Sequence, residues 1–232
     1  MTAKQTKKRI RNRHFRFSTI TTTRAQPITT SLNNYATMKK RVILITGTPC
    51  TGKTTLAKKL AQELEARYVN LTDLAKTEHL TLGTDEERQT TIIDEDKMRK
   101  KLAEIIKETT DKDIIVDGHY AAAVTPKRAV TQVFVLRRNP LQLREFMQEC
   151  GFNTQKQNEN LTAEILDVCL VEALRSQSAK KVCEIDATNK TPDETLSEIR
   201  KVLEGKQRCG IGCVDWLSIL EKEGKTDEFL KP

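Results

Sequence analysis

An α/β domain, a parallel sheet of five strands with helices on both faces, is the fold class that this sequence predicts. Two observations carry the prediction. From Arg41 onward short β-rich runs alternate with helical ones, and a glycine-rich loop joins the first run to the first helix. The chain of 232 residues suits a single such domain with appendages.

The five candidate strands are RVILIT (41–46), YVN (68–70), DIIVD (113–117), QVFVL (132–136) and VCEID (182–186). Between them, Leu56, Leu60 and Leu64 recur every four residues, as do Met98, Leu102 and Ile106, while Leu161, Ile165, Val168 and Cys169 line another helical face. The last helix of the core is announced by Thr191-Pro192-Asp193-Glu194. Here a capping threonine, a proline at the first helical position and a glutamate three residues after the cap coincide, and Leu196, Ile199 and Leu203 supply the buried stripe.

Composition excludes several classes. Hydrophobic residues make up 37% and charged residues 31% of the chain, and mean hydropathy is −0.55. No apolar run approaches the roughly 18 to 20 residues of a membrane span, so an integral membrane protein is not expected. The formal charge of +8 is local: residues 1–37 hold Lys4, Lys7, Lys8, Arg9, Arg11, Arg13, Arg16 and Arg24 and no acid, which leaves 32 basic and 32 acidic residues from Met38 onward. This segment, rich in Arg, Thr, Ser and Asn, is expected to be a disordered basic extension. Three readings stay open for it: an upstream start before the natural beginning at Met38, a mitochondrial transit peptide, and an arm for RNA phosphates. The six cysteines match no disulfide framework or zinc ribbon, and without an apolar signal segment a reducing, cytoplasmic setting is expected.

The sharpest motif is GTPCTGKT, Gly47 to Thr54, which fits G-x-x-x-x-G-K-[ST] between an apolar strand and a helix. Its glycines permit a backbone curl whose N–H groups face phosphate oxygens, and the helix N-terminus adds positive potential. Lys53 is expected to reach the outer phosphates and the Thr54 hydroxyl to ligate magnesium. Cys50 occupies a backbone-donor position, as a packed thiol or as one acidified near the helix start. Asp117 ends the strand DIIVD at the carboxyl edge of the sheet, where a carboxylate suits hydrated magnesium. His119, in DGHY, is a proton carrier, a group that positions water, or a turn residue.

The blocks GTPCTGKTT, YVNLTDLAK, DEERQTTIIDEDK, IIVDGHY, VFVLRRNP and ENLTAEILDVCLVEA resemble the adenylate kinase family that doubles as a ribosome-biogenesis ATPase in archaea and eukaryotes, the coilin-interacting nuclear ATPase family. The likeness runs from about Met38 to Gly205, and DGHY and VFVLRR look more like archaeal members. It implies the P-loop nucleoside monophosphate kinase fold, with an AMP-binding arm at about 70–91 and a lid at about 146–160. It also implies that Cys50, Gly52, Lys53, Thr54 and Thr55 hold the phosphates of ATP with Mg²⁺, that Asp117 and His119 form a D-x-H element tied to ATP hydrolysis, and that Lys190 lines the adenine site. Asp73 would shape the arm, in which Lys76 stands where members often have arginine. In the lid, the family run E-R-L-x-x-R-G-Y reads Glu145-Phe146-Met147-Gln148-Glu149-Cys150-Gly151-Phe152, so two arginines that stabilise phosphoryl charge are replaced by Phe146 and Cys150. Arg137, Arg138 and Arg144 are the nearby substitutes.

Residues 206–232 form a C-terminal helical extension in which Val214, Leu217 and Leu220 share a face near the sole tryptophan, Trp216. Packing on its own domain and binding a partner are both open to it. The resemblance implies reversible transfer of the ATP γ-phosphoryl to AMP with associated ATPase activity, and a role in small-subunit rRNA maturation. The alternative it implies is an assembly-factor ATPase that binds a small-subunit ribosomal protein or pre-rRNA.

Overall fold

The computed structural model describes residues 40–86 and 90–230; the expected basic extension and residues 87–89 of the expected arm lie outside the described residues. In chain order the elements are β1 (Arg41–Gly47), α1 (Lys53–Glu63), β2 (Arg67–Asn70), α2 (Leu71–Thr77), β3 (Thr81–Asp85), β4 (Thr90–Ile93), α3 (Glu95–Glu108), β5 (Asp113–Asp117) and α4 (Ala121–Val124). There follow β6 (Val130–Arg137), α5 (Pro140–Glu149), α6 (Thr154–Ile165), α7 (Val168–Ser176), β7 (Val182–Asp186), α8 (Pro192–Leu203), α9 (Trp216–Lys222) and α10 (Thr226–Phe229).

Five strands pair in parallel in the order β2-β5-β1-β6-β7. Alternation along each strand sends side chains to opposite faces. Val42 and Leu44 of β1, Ile114 and Val116 of β5, and Val133 and Val135 of β6 enter one core with α2, α3, α4 and α7. Ile43, Ile45, Ile115, Phe134 and Leu136 enter the other, against Leu56 and Leu60 of α1 and Leu196 and Ile199 of α8. Both faces are thus covered, which is why these strands read as unbroken apolar runs. The capping box at Thr191 and Glu194 is formed in both directions.

The structure departs from the sequence expectations in four places. A two-stranded antiparallel hairpin, β3–β4, occupies the expected arm. Leu161, Ile165, Val168 and Cys169 do not share one helix: Asp167 adopts φ 57° between α6 and α7, and Val168 is left exposed. Trp216 and Leu220, rather than Leu217, are the fully buried residues of α9, and they pack with Phe229 against Leu143, Met147, Leu161 and Ile165. Finally Cys183 on β7 and Cys209 form a disulfide with Cα atoms 5.3 Å apart, because the turn after α8 leads the chain back to the sheet edge. Among the described residues no helix is long and apolar enough to cross a membrane.

Candidate active site

The parallel strands end together at one edge, where register pairs Ile45 with Asp117, Asn70 with Asp117 and Gly47 with Leu136. Clefts in such sheets open outside these carboxyl ends. Gly47, at φ 138°, begins the loop; a Cβ there would lie 2.4 Å from the Leu136 carbonyl oxygen, so only glycine fits. Gly52, at φ 96°, ends the loop as the N-cap of α1. Lys53 is buried and donates to the Thr48 carbonyl at 2.8 Å. Desolvation holds its ammonium below the ordinary lysine value, with Cys169 and Asp117 opposing. Gly52, Thr54 and Thr55 stay exposed at the loop mouth.

Three donors converge on one oxygen of Asp117. Thr54 Oγ1 lies 2.7 Å from Oδ2, Asn70 Nδ2 2.8 Å and Tyr68 OH 2.9 Å. Sequence reasoning paired Asp117 with the loop and missed Tyr68 and Asn70, although their i, i+2 spacing at the end of β2 places both on one side of the strand. Gly118 follows because a Cβ would meet the Leu71 side chain at 2.8 Å. The turn is tied to β1 through Thr46 Oγ1, which donates to the His119 carbonyl at 2.9 Å.

His119 stands at the mouth of the cleft, edge-on to Tyr120 with ring centroids 4.9 Å apart. Its side chain reaches solvent, yet the cleft wall crowds it. Desolvation first, then the charges of Lys53 and Lys156, push its pKa down to about 4, with Asp117 opposing. Beside it a cavity of about 300 Å³ is lined by Pro49, Thr72, Lys76, Thr90, Thr91 and Lys156, among others. Lys156, on the first turn of α6, donates to Thr90 Oγ1 across this cavity. It brings to the cavity a cation that no local motif announces. Asp73 lies away from this chemistry: its backbone N–H caps onto Asn70, and its residue is exposed.

The three candidate substitute arginines separate clearly. Arg137 is buried and spends its guanidinium on Glu164, Glu184 and Asp167. Burying an unpaired charge costs several kcal/mol, roughly, so these carboxylates are what make the site tolerable. Arg144 pairs with Glu228 at 2.5 Å and stacks on Phe229 at 4.6 Å. Only Arg138 borders the loop: its Nε lies 3.4 Å from the Thr51 carbonyl, and Phe146 supports its guanidinium at 4.9 Å. Phe146 thus acts on the site by shelving an arginine. Lys190, in the turn leading to α8, pairs with Glu198 at 2.8 Å, while the neighbouring Asn189 meets Gln142 at 3.2 Å. Cys50 packs against the cluster that holds Leu143, Met147, Leu161 and Trp216, and burial together with the Cys150 thiol pushes its pKa up to about 12, the reverse of an acidified nucleophile.

The five-stranded parallel sheet, its flanking helices and the Gly47–Thr54 loop define a P-loop kinase fold. Shikimate kinase from Bacteroides thetaiotaomicron shares it, with a TM-score of 0.51 at 17% identity over 71% of this chain and 98% of that one. Residues 43–167 match the family described as AAA domain. A Thermococcus kodakarensis protein named "Putative adenylate kinase" is 36% identical over 182 residues, covering 78% of this chain and 96% of its own length. One of the same name from Methanocaldococcus jannaschii is 38% identical over 174 residues, covering 75% and 92%. The chain belongs to the family that these proteins represent.

Proposed function

We propose that the protein is an adenylate kinase, which transfers the γ-phosphoryl group of ATP reversibly to AMP and yields two ADP. The observation that carries this reading is the cavity beside the phosphate loop, whose lining includes Lys76, Lys156 and His119. Such a site suits an anionic acceptor held next to a bound triphosphate, and the names of the archaeal relatives agree with it.

The loop backbone from Cys50 to Thr55 binds the phosphates, and Lys53 exchanges the Thr48 carbonyl for phosphate oxygens, so that its charge meets the negative charge developing during transfer. Thr54 and Asp117 offer hard oxygen donors that fit hydrated magnesium. When bound there, the ion neutralises phosphate charge. Lys76 and Lys156 hold the acceptor phosphate in line with the donor, and closing the lid excludes water from the pair. Arg138 on its Phe146 shelf faces the adenine end together with the turn that carries Lys190. His119, kept neutral, positions water when no acceptor is present, which gives ATP hydrolysis as the accompanying activity.

The second reading, an assembly-factor ATPase acting on a small-subunit ribosomal protein or pre-rRNA, is favoured by one observation. Arg137 and Arg144 are committed to carboxylates and leave the lid poorer in phosphoryl-stabilising charge. Measuring ADP formation from ATP with and without AMP separates the two. The kinase reading expects AMP to raise ADP output manyfold, and phosphate release indifferent to AMP would overturn it.

A further inference from the structure

Trp216 lies outside residues 43–167, the part of the chain that the family match spans, yet it is wired to the phosphate loop. Its indole Nε1 donates to Glu164 Oε1 at 3.0 Å, and the other oxygen of the same carboxylate accepts from Thr48 Oγ1 at 2.5 Å. Glu164 is 1% exposed and Trp216 3% exposed. The remaining donors to Glu164 come from Arg137 Nε at 2.9 Å and the Arg138 backbone N–H at 3.1 Å. Thr48 is thereby gripped through its hydroxyl by Glu164 and through its carbonyl by Lys53 and by Thr51 within the loop.

We infer that Trp216 is a positioning residue for the nucleoside triphosphate site, acting through Glu164 on Thr48, so that the C-terminal segment sets the shape of the phosphate loop. When Lys53 leaves the Thr48 carbonyl for a phosphate, the hydroxyl grip stays, beside the Thr51 hydroxyl that donates to the same carbonyl at 2.9 Å, and ties the curled loop to the rest of the domain. A buried carboxylate is held in one orientation by the donors that surround it. The indole supplies one of them from a segment held to the sheet separately, by the Cys183–Cys209 disulfide and by Gly212 and Cys213 N–H groups on Glu184 at 2.7 and 2.8 Å. The tryptophan therefore stands on a fixed base and can orient Glu164 instead of following it.

This inference rests on the reading of the Gly47–Thr54 loop as an ATP site, and the test separates the two. Because Trp216 is the sole tryptophan, its emission in the full-length protein reports on this chain of hydrogen bonds without any substitution. Titration with magnesium and a non-hydrolysable ATP analogue should change that emission saturably, with a midpoint equal to the Kd measured by calorimetry. Trp216→Phe, which keeps an aromatic ring and removes the donor, should raise the calorimetric Kd about tenfold or more, the scale of a lost bond to a charged group. Thr48→Val should weaken binding as well, and the double variant should be no weaker than the worse single one, since both cut one connection. Calorimetric binding with unchanged emission would overturn the inference and leave the ATP site standing, as would additive losses or a Trp216→Phe protein that binds like wild type. Absence of any calorimetric binding would overturn both. If Trp216→Phe fails to fold, the wild-type emission experiment still decides.

Discussion

On the proposed reading Lys53, buried and bonded to the Thr48 carbonyl, serves the phosphates in transfer and in hydrolysis alike. Lys53→Ala should therefore reduce both to below about a tenth of wild type, as removal of a preorganised charge does; turnover above that level would refute the role. His119 differs, because positioning a water matters only when no acceptor fills the cavity. His119→Ala should impair hydrolysis more than AMP-dependent transfer, whereas equal losses would point to a turn residue. The sign of its titration follows from its surroundings. Crowding and two lysines favour the uncharged ring and depress the pKa to about 4, so hydrolysis should persist as pH falls through 6.5 and decline only near 4. An acid limb at 6.5 in the pH–rate profile would contradict this. These residues were legible because the loop is contiguous and D-G-H ends an apolar strand. Lys156 was not legible, since a lone lysine about a hundred residues from the loop acquires its place only when α6 folds over the cavity.

Four of the five strands declared themselves for a reason that belongs to elements: β1, β5, β6 and β7 are buried along most of their length and their apolar runs stand out, whereas the edge strand β2 buries only Val69. The β3–β4 hairpin did not, because Leu82 and Ile92 are exposed and the pairing shifts register between Thr81 and Gly83, so no clean alternation marks it. The break between α6 and α7 was hidden likewise, since Asp167 in the left-handed region is a backbone event that apolar spacing cannot announce. The N-terminus of α8 was readable because its cap is chemical. Thr191 Oγ1 accepts from the Glu194 N–H at 3.2 Å, and Glu194 Oε2 accepts from the Thr191 N–H at 2.8 Å. Thr191→Ala should lower Tm by roughly 2–4 °C. A melt identical to wild type would mean that α8 is held by packing on α1 alone.

Across the whole molecule, what binds the C-terminal segment to the sheet is a covalent link that spacing alone did not foretell. Cys183 and Cys209 are 26 residues apart, and their meeting depends on α8 crossing the sheet and returning the chain to the β7 edge. Close by, Glu184 joins three parts of the chain, accepting from Arg137 of β6 and from the Gly212 and Cys213 N–H groups. A bond closing a loop of that length restricts the unfolded chain by about 3 kcal/mol. At roughly 2–4 °C per kcal/mol for a domain of this size, reduction should lower Tm on the order of 10 °C. The accounting of thiols makes the experiment unambiguous: of six cysteines, Cys50, Cys150, Cys169 and Cys213 are free. Denatured protein should therefore titrate four thiols before reductant and six after it. A Tm that stays constant while the count rises from four to six would show that the segment is held by the Trp216 and Leu220 contacts and not by the crosslink. Six thiols at the outset would remove the disulfide from the protein as isolated.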